Sequence, residues 1–239
     1  DGFIMFLTKT LTVENTAELE RQFGYVFKDR GLLTEALTHR SFYYENPDKS
    51  PAHNERLEFL GDSVLGFVIV EHLFQLDMKL TESVMAKIKS YLVKESVLSE
   101  IANSLSLGEY LQLGKGEDAS GGRKKKSLLA DAVEALLGAV YLEGGYKKVR
   151  ELVLRLFSEK LDAAIHSAEF SDFKTELQEK TQLLFNTIPE YKIIKQEGEE
   201  HRKVFTIEVY ITGEMLGRGV GKSKKEAEKL AAKEALNNL

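Results

Sequence analysis

The sequence predicts a multidomain chain: an all-α domain over residues 1–168 and a small α+β domain, ordered α-β-β-β-α, over 171–239. Three observations predict it. Apolar residues recur at helical spacing to about His166, with almost no strand-like alternation. Residues 166–171 (His-Ser-Ala-Glu-Phe-Ser) form a short polar break. Beyond the break, residues 203–211 alternate, with Phe205, Ile207, Val209 and Ile211 on one face.

The helical pattern falls into segments 16–27, 30–44, 54–76, 82–93, 95–106, 127–142 and 145–166. Between the fifth and sixth lies the longest irregular stretch, 114–126, rich in Gly and Lys. A long loop of this kind often handles substrate. After the break, Asp172 or Ser171 can cap a helix that runs to about Phe185. Strands follow at 191–195, 203–211 and 215–220, the last two joined by the Thr212-Gly213 turn. Ser223 and Glu226 have capping-box spacing and open a final helix to about Asn237.

Composition narrows the classes. Of 239 residues, 43% are hydrophobic and 30% charged, which fits a soluble globular protein. No cysteine is present, which excludes disulfides and thiolate metal sites and suits a reducing cytoplasm. No apolar run approaches a membrane span, and the apolar run at 3–7 is too short for a signal sequence. Twelve of the 33 basic and twelve of the 38 acidic residues lie between Phe170 and Leu239, so the net charge of −5 belongs to the residues before them. Nucleic-acid affinity therefore has to come from local basic clusters.

Two helices carry the candidate chemistry. Glu55, Glu58 and Asp62 are spaced three and four apart, within an arc of roughly 60° on one helix face. That face continues as Leu65 and Ile69, which are expected core. On the second helix Asp131 and Glu134 are i, i+3 neighbours, beside Ala135 and Gly138, small enough to admit another helix. Singly, such pairs are usually a solvated face. Two of them at the edges of buried stripes fit a divalent cation, because carboxylates are costly to desolvate together. An all-oxygen donor set favours Mg2+, with Mn2+ able to substitute, over zinc or iron. No His stands three residues after a Glu, so the carboxylate-bridged di-iron pattern is missing. His39 and His53 flank the motifs and are read as packing or hydrogen-bonding residues.

Gly221-Lys222-Ser223 is not a P-loop, since Leu216 stands where the earlier glycine belongs, so no nucleotide cofactor is expected. Lys222, Lys224 and Lys225 instead surround a helix N-terminus with free backbone N–H groups, an arrangement suited to backbone phosphate.

The stretch Asn-Glu-Arg-Leu-Glu-Phe-Leu-Gly-Asp-Ser-Val-Leu at 54–65, the run Ala-Leu-Thr-His-Arg-Ser at 36–41 and the segment 129–145 resemble bacterial ribonuclease III. The part after the break resembles the double-stranded-RNA-binding domain that follows in that family. The extreme N-terminus, residues 1–9, matches nothing. The resemblance implies a Mg2+-dependent endoribonuclease that cuts double-stranded RNA, acting as a homodimer in RNA processing, rRNA and mRNA alike. It implies 5′-phosphate and 3′-hydroxyl ends with short 3′ overhangs, each of two sites cutting one strand. Glu58, Asp62, Asp131 and Glu134 are then the catalytic metal ligands, directly or through water, with one or two ions. Glu55 and Glu82 lie close by, beside the metal or on RNA. The Phe59 ring enters a socket on the partner. In the second domain Thr175, Gln178 and Glu179 meet one minor groove, His201 the next, and the three lysines the phosphates between them.

Two other classes compete. A pure RNA-binding protein with a decayed nuclease fold predicts a broken acidic quartet, yet all four acids are present. A metal-binding helical bundle unrelated to RNA leaves the second domain without a purpose.

Overall fold

The computed structural model describes residues 11, 13–76, 80–167, 172–199 and 202–239. The polar break at 168–171, the apolar run at 3–7 and His201 lie outside the described residues. Two compact units are present, Asp1–Ser167 and Ala168–Leu239.

The first unit is helical: α1 (Val13–Phe23), α2 (Arg30–Ala36), α3 (Arg40–Glu45), α4 (Glu55–Gln75), α5 (Glu82–Leu92), α6 (Glu95–Ser104), α7 (Lys115–Ala119), α8 (Lys126–Leu156) and α9 (Ser158–Ile165). Its centre is α8. Every residue from Ala132 to Val140 is buried, as expected of a helix apolar nearly all round. It packs on α4, α6 and α2, with α4 making the most extensive contact. Leu57, Leu65, Val68, Ile69 and Leu73 of α4 and Val133, Leu136, Leu137 and Val140 of α8 are all buried in the core.

The α4–α8 crossing is unusually close. A Cβ on Gly61 would lie 1.7 Å from the Glu134 carbonyl oxygen, and one on Gly138 would lie 2.3 Å from that of Leu57. Only glycine fits at either point, because the obstructing atoms are backbone.

Several boundaries differ from the sequence expectation. The segment 30–44 is two helices, not one. Thr38 forms an isolated bridge with Gln112, and His39 Nδ1 accepts from the Ser41 N–H to cap α3. The first helix stops at Phe23 rather than Phe27. The expected loop 114–126 holds α7 and a 3-10 turn at Gly122–Lys124. Arg123 organises it, pairing with Asp118 and donating to the carbonyls of Gly108 and Leu111. Gly145, at φ 73°, interrupts α8, and the segment expected at 145–166 breaks again at Phe157.

The second unit is helix α10 (Phe173–Phe185), strands β1 (Glu190–Glu197), β2 (Val204–Ile211) and β3 (Glu214–Gly221), and helix α11 (Lys224–Asn238). The strands form an antiparallel sheet ordered β1-β2-β3. Phe205, Ile207, Val209 and Ile211 are buried, against Leu177 of α10 and Ala227, Ala231, Ala232 and Ala235 of α11. Thr212 and Gly213 both have positive φ, 52° and 89°, which matches the right-handed twist of the strands they join. β1 is eight residues long where five were expected, because its register shift between Ile193 and Lys195 lets pairing continue past the irregular point.

Candidate metal centre and nucleic-acid interface

The close crossing decides which acids meet. Glu58 stands one turn before Gly61 on α4, and Glu134 lies against Gly61 on α8. Glu58, Asp131 and Glu134 each present a carboxylate oxygen within 4.8 Å of the others. Glu134 is buried, and Glu58 and Asp131 are half-buried. No Lys, Arg or His forms an ion pair with any of them among the described residues.

Such a cluster is electrostatically strained without a cation. Burial first, then the charges of Asp62, Glu58 and Asp131, push Glu134 up to about 8. Burial, then Asp131, Glu55 and Asp62, raise Glu58. Asp131 is raised by burial, then by Glu95 and Glu55. Three converging hard oxygens without a positive partner are the donor chemistry of a divalent-cation site, so the residues fit a metal ion.

The other expected acids stand around this group. Asp62, the residue after Gly61, is exposed and outside the close trio, yet its charge acts most strongly on Glu134 after burial. Glu55 opens α4, one turn before Glu58. Glu82 opens α5, exposed and outside the trio. Glu95, the first residue of α6, was missed by the sequence reading. It stands alone in the sequence, so spacing carries no signal for it, and only the packing of α6 on α8 brings its charge toward Asp131.

In the second unit Thr175 is half-buried and Gln178 and Glu179 exposed, sharing one face of α10. Lys222, Lys224 and Lys225 are exposed and form no ion pair among the described residues. The α11 cap corrects one expectation. Ser223 Oγ accepts from the Glu226 N–H at 3.1 Å, and the Glu226 carboxylate accepts from the Lys222 N–H at 2.8 Å. Those two N–H groups are therefore already satisfied. What remains for an anion is the first turn at Lys224 and Lys225 together with the three ammonium groups.

The family model described as Ribonuclease-III-like matches residues 29–161, which hold all three clustered carboxylates. The chain belongs to the ribonuclease III family. The model for the double-stranded RNA binding motif matches residues 173–239 of this family member. Ribonuclease 3 of Syntrophotalea carbinolica is 44% identical over 229 residues, 96% of this chain and 99% of that protein. Ribonuclease 3 of Caldanaerobacter subterraneus subsp. tengcongensis is 46% identical over 221 residues, 92% of this chain and 96% of that protein. The solved nuclease domain of ribonuclease III from Campylobacter jejuni is 43% identical with a TM-score of 0.56, covering 61% of this chain and 97% of that one. The chain is thus a ribonuclease III-type endoribonuclease acting on double-stranded RNA, with a helical nuclease domain followed by an α-β-β-β-α RNA-binding domain. Among the described residues no helix is long and apolar enough to cross a membrane.

Proposed function

We propose that this chain is a Mg2+-dependent enzyme that hydrolyses phosphodiester bonds of duplex RNA, leaving 5′-phosphate and 3′-hydroxyl ends with short 3′ overhangs. It works in the cytoplasm on rRNA precursors and other structured transcripts. The observation that carries the reading is the convergence of Glu58, Asp131 and Glu134 without a cationic partner, in a member of the ribonuclease III family. A bound Mg2+ supplies Lewis-acid stabilisation of phosphate charge and a lowered pKa for a coordinated water. Glu58, Asp131 and Glu134 hold the ion, and Asp62 borders it from the solvent side. The buried Glu134, fixed between two helices, sets the position of the site relative to both. No side-chain nucleophile is required. The test is a gel assay of one long perfect RNA duplex with Mg2+ and with EDTA. Cleavage in both, or in neither, defeats the reading.

The active form proposed is a homodimer. Phe59 is 78% exposed, and Phe67, Val70 and Phe74 of the same helix are exposed within an arc of roughly 80° of it. An exposed apolar face of this kind, interrupted by Ser63, fits an interaction surface. The Campylobacter jejuni nuclease domain has a region involved in dimer formation. Phe59→Asp sets a charge into that face, and losing a buried Phe alone costs about 3–5 kcal/mol. Sedimentation is expected to show a dimeric parent and a monomeric variant; a monomeric parent would exclude the dimer.

The second domain holds the duplex, with Thr175, Gln178 and Glu179 toward a minor groove and Lys222, Lys224 and Lys225 on phosphates. Replacing the three lysines with Ala is expected to weaken duplex binding and to lower its salt slope by roughly one unit per lost contact. The loss should be equal on two unrelated duplexes, because phosphates carry no base information. An unchanged slope would reduce the lysines to a solvated face.

A further inference from the structure

Beside the carboxylate cluster lies a second set of groups that ion binding does not use. His53 precedes α4, with its ring against Tyr43 and Tyr44 at centroid distances of 5.6 and 6.0 Å. Its Nδ1 is buried and has no hydrogen-bond partner. The facing group is Glu55 Oε2 at 3.6 Å, just beyond hydrogen-bond reach. The other Glu55 oxygen, Oε1, stands 3.4 Å from Arg40 Nη1. A carboxylate at the first residue of α4 is therefore held between a histidine and an arginine, one turn before Glu58.

The members explain one another poorly as stabilising contacts. An exposed Arg–Glu pair at this distance contributes little to stability. A buried ring nitrogen without a partner is unfavourable and calls for a reason. Glu55 brings further negative charge to this side of the cluster, since it adds to the charges that raise both Glu58 and Asp131. An RNA strand approaching the cluster meets repulsion there unless a cation is presented. Arg40 presents one. Its side chain is 63% exposed, and its remaining N–H donors have no partner among the described residues. A planar guanidinium anchored by a carboxylate on one edge keeps its other edge for two phosphate oxygens.

We propose that Arg40 contacts a backbone phosphate of the substrate strand, and that His53 is its positioning residue, acting through Glu55. A small rotation of the Glu55 carboxylate closes the 3.6 Å gap, so that the His53 Nδ1–H donates to it and fixes the orientation in which it holds Arg40. The Tyr43 and Tyr44 rings hold the imidazole in place. The inference rests on the duplex-RNA reading above.

The experiment compares the parent with Arg40→Ala, His53→Phe, His53→Asn and the Arg40→Ala/His53→Phe double variant, each checked for folding by thermal melting. Kinetics are measured on one long perfect RNA duplex in Mg2+, and duplex affinity against salt in EDTA. Arg40→Ala is expected to raise KM about tenfold with kcat within about twofold, and to lower the salt slope by roughly one unit. His53→Phe keeps an aromatic ring but loses the donor, and is expected to reproduce most of the KM increase. His53→Asn keeps an N–H donor near the same point and is expected to return KM toward the parent. The double variant should be no worse than Arg40→Ala alone, because one residue acts through the other. A parent-like KM in His53→Phe, or losses that multiply in the double variant, overturns the positioning role. An unchanged slope in Arg40→Ala overturns the phosphate contact. A parent that leaves duplex RNA uncut in Mg2+ defeats the functional reading instead, and the binding slope, which needs no cleavage, still decides this one.

Discussion

Glu134→Gln is expected to lose cleavage of duplex RNA by roughly 10²–10³-fold or more, with duplex binding retained. The amide keeps the size of the side chain at the α4–α8 crossing but removes the ligand charge. Proton linkage gives an independent readout. Burial and three neighbouring carboxylates push Glu134 from 4.5 up to about 8, so at neutral pH the metal-free protein holds a proton there. A carboxyl raised on folding binds more protons in the native than in the unfolded state between those two values. Its contribution is therefore favourable below the window and is lost as pH rises through it. Metal-free thermal stability should fall from about pH 5 to about pH 8, and Glu134→Gln should flatten that part of the profile. Mg2+ binding displaces the proton, so its heat near neutral pH should depend on the ionisation enthalpy of the buffer in the parent and not in the variant. Cleavage by the variant near the parent rate would remove Glu134 from the metal site.

Gly61→Ala is expected to be the most damaging single methyl group in the nuclease domain. Its Cβ would lie 1.7 Å from the Glu134 carbonyl oxygen, so the helices must part. Overpacking of this kind costs about 1–3 kcal/mol, occasionally more. Cleavage should fall with stability, because parting α4 from α8 also parts Glu58 from Asp131 and Glu134. Gly66→Ala, on the same helix, is the control. Its Cβ would meet Lys89 Cε at 3.1 Å, the flexible end of a side chain that can move aside. There the gain in helix propensity, about 0.8–1 kcal/mol, should dominate and leave cleavage intact. Urea midpoints and cleavage rates of the two variants decide the matter. A parent-like midpoint for Gly61→Ala would mean that the close crossing does not position the site.

Much of this was legible without coordinates, and the reason is local. Residues 54–76 and 203–211 carry unbroken periods of 3.6 and 2, so helix and strand follow from which side chains repeat. The spacing of Glu58 with Asp62 and of Asp131 with Glu134 already places each pair on one helix face, and Gly138 already signals a close neighbour. The 12-residue stretch from Asn54 to Leu65 carries the family resemblance by itself.

The rest depended on partners distant in the chain. Segment 30–44 reads as one helix because periodicity is blind to Thr38 pairing with Gln112, which ends α2 and starts α3. The stretch 114–126 reads as loop because its order comes from Arg123 reaching the carbonyls of Gly108 and Leu111. Three acids on the face of α4 look equivalent in sequence. Only the contact of Gly61 with the Glu134 backbone brings Glu58 into the trio and leaves Asp62 at its rim, and only the packing of α6 on α8 draws in the charge of Glu95. Side-chain spacing determines which residues share a face of one helix. Which faces touch, and at what depth, is set by the small residues at the crossing, because only backbone-to-backbone approach brings carboxylates from two helices within reach of one ion.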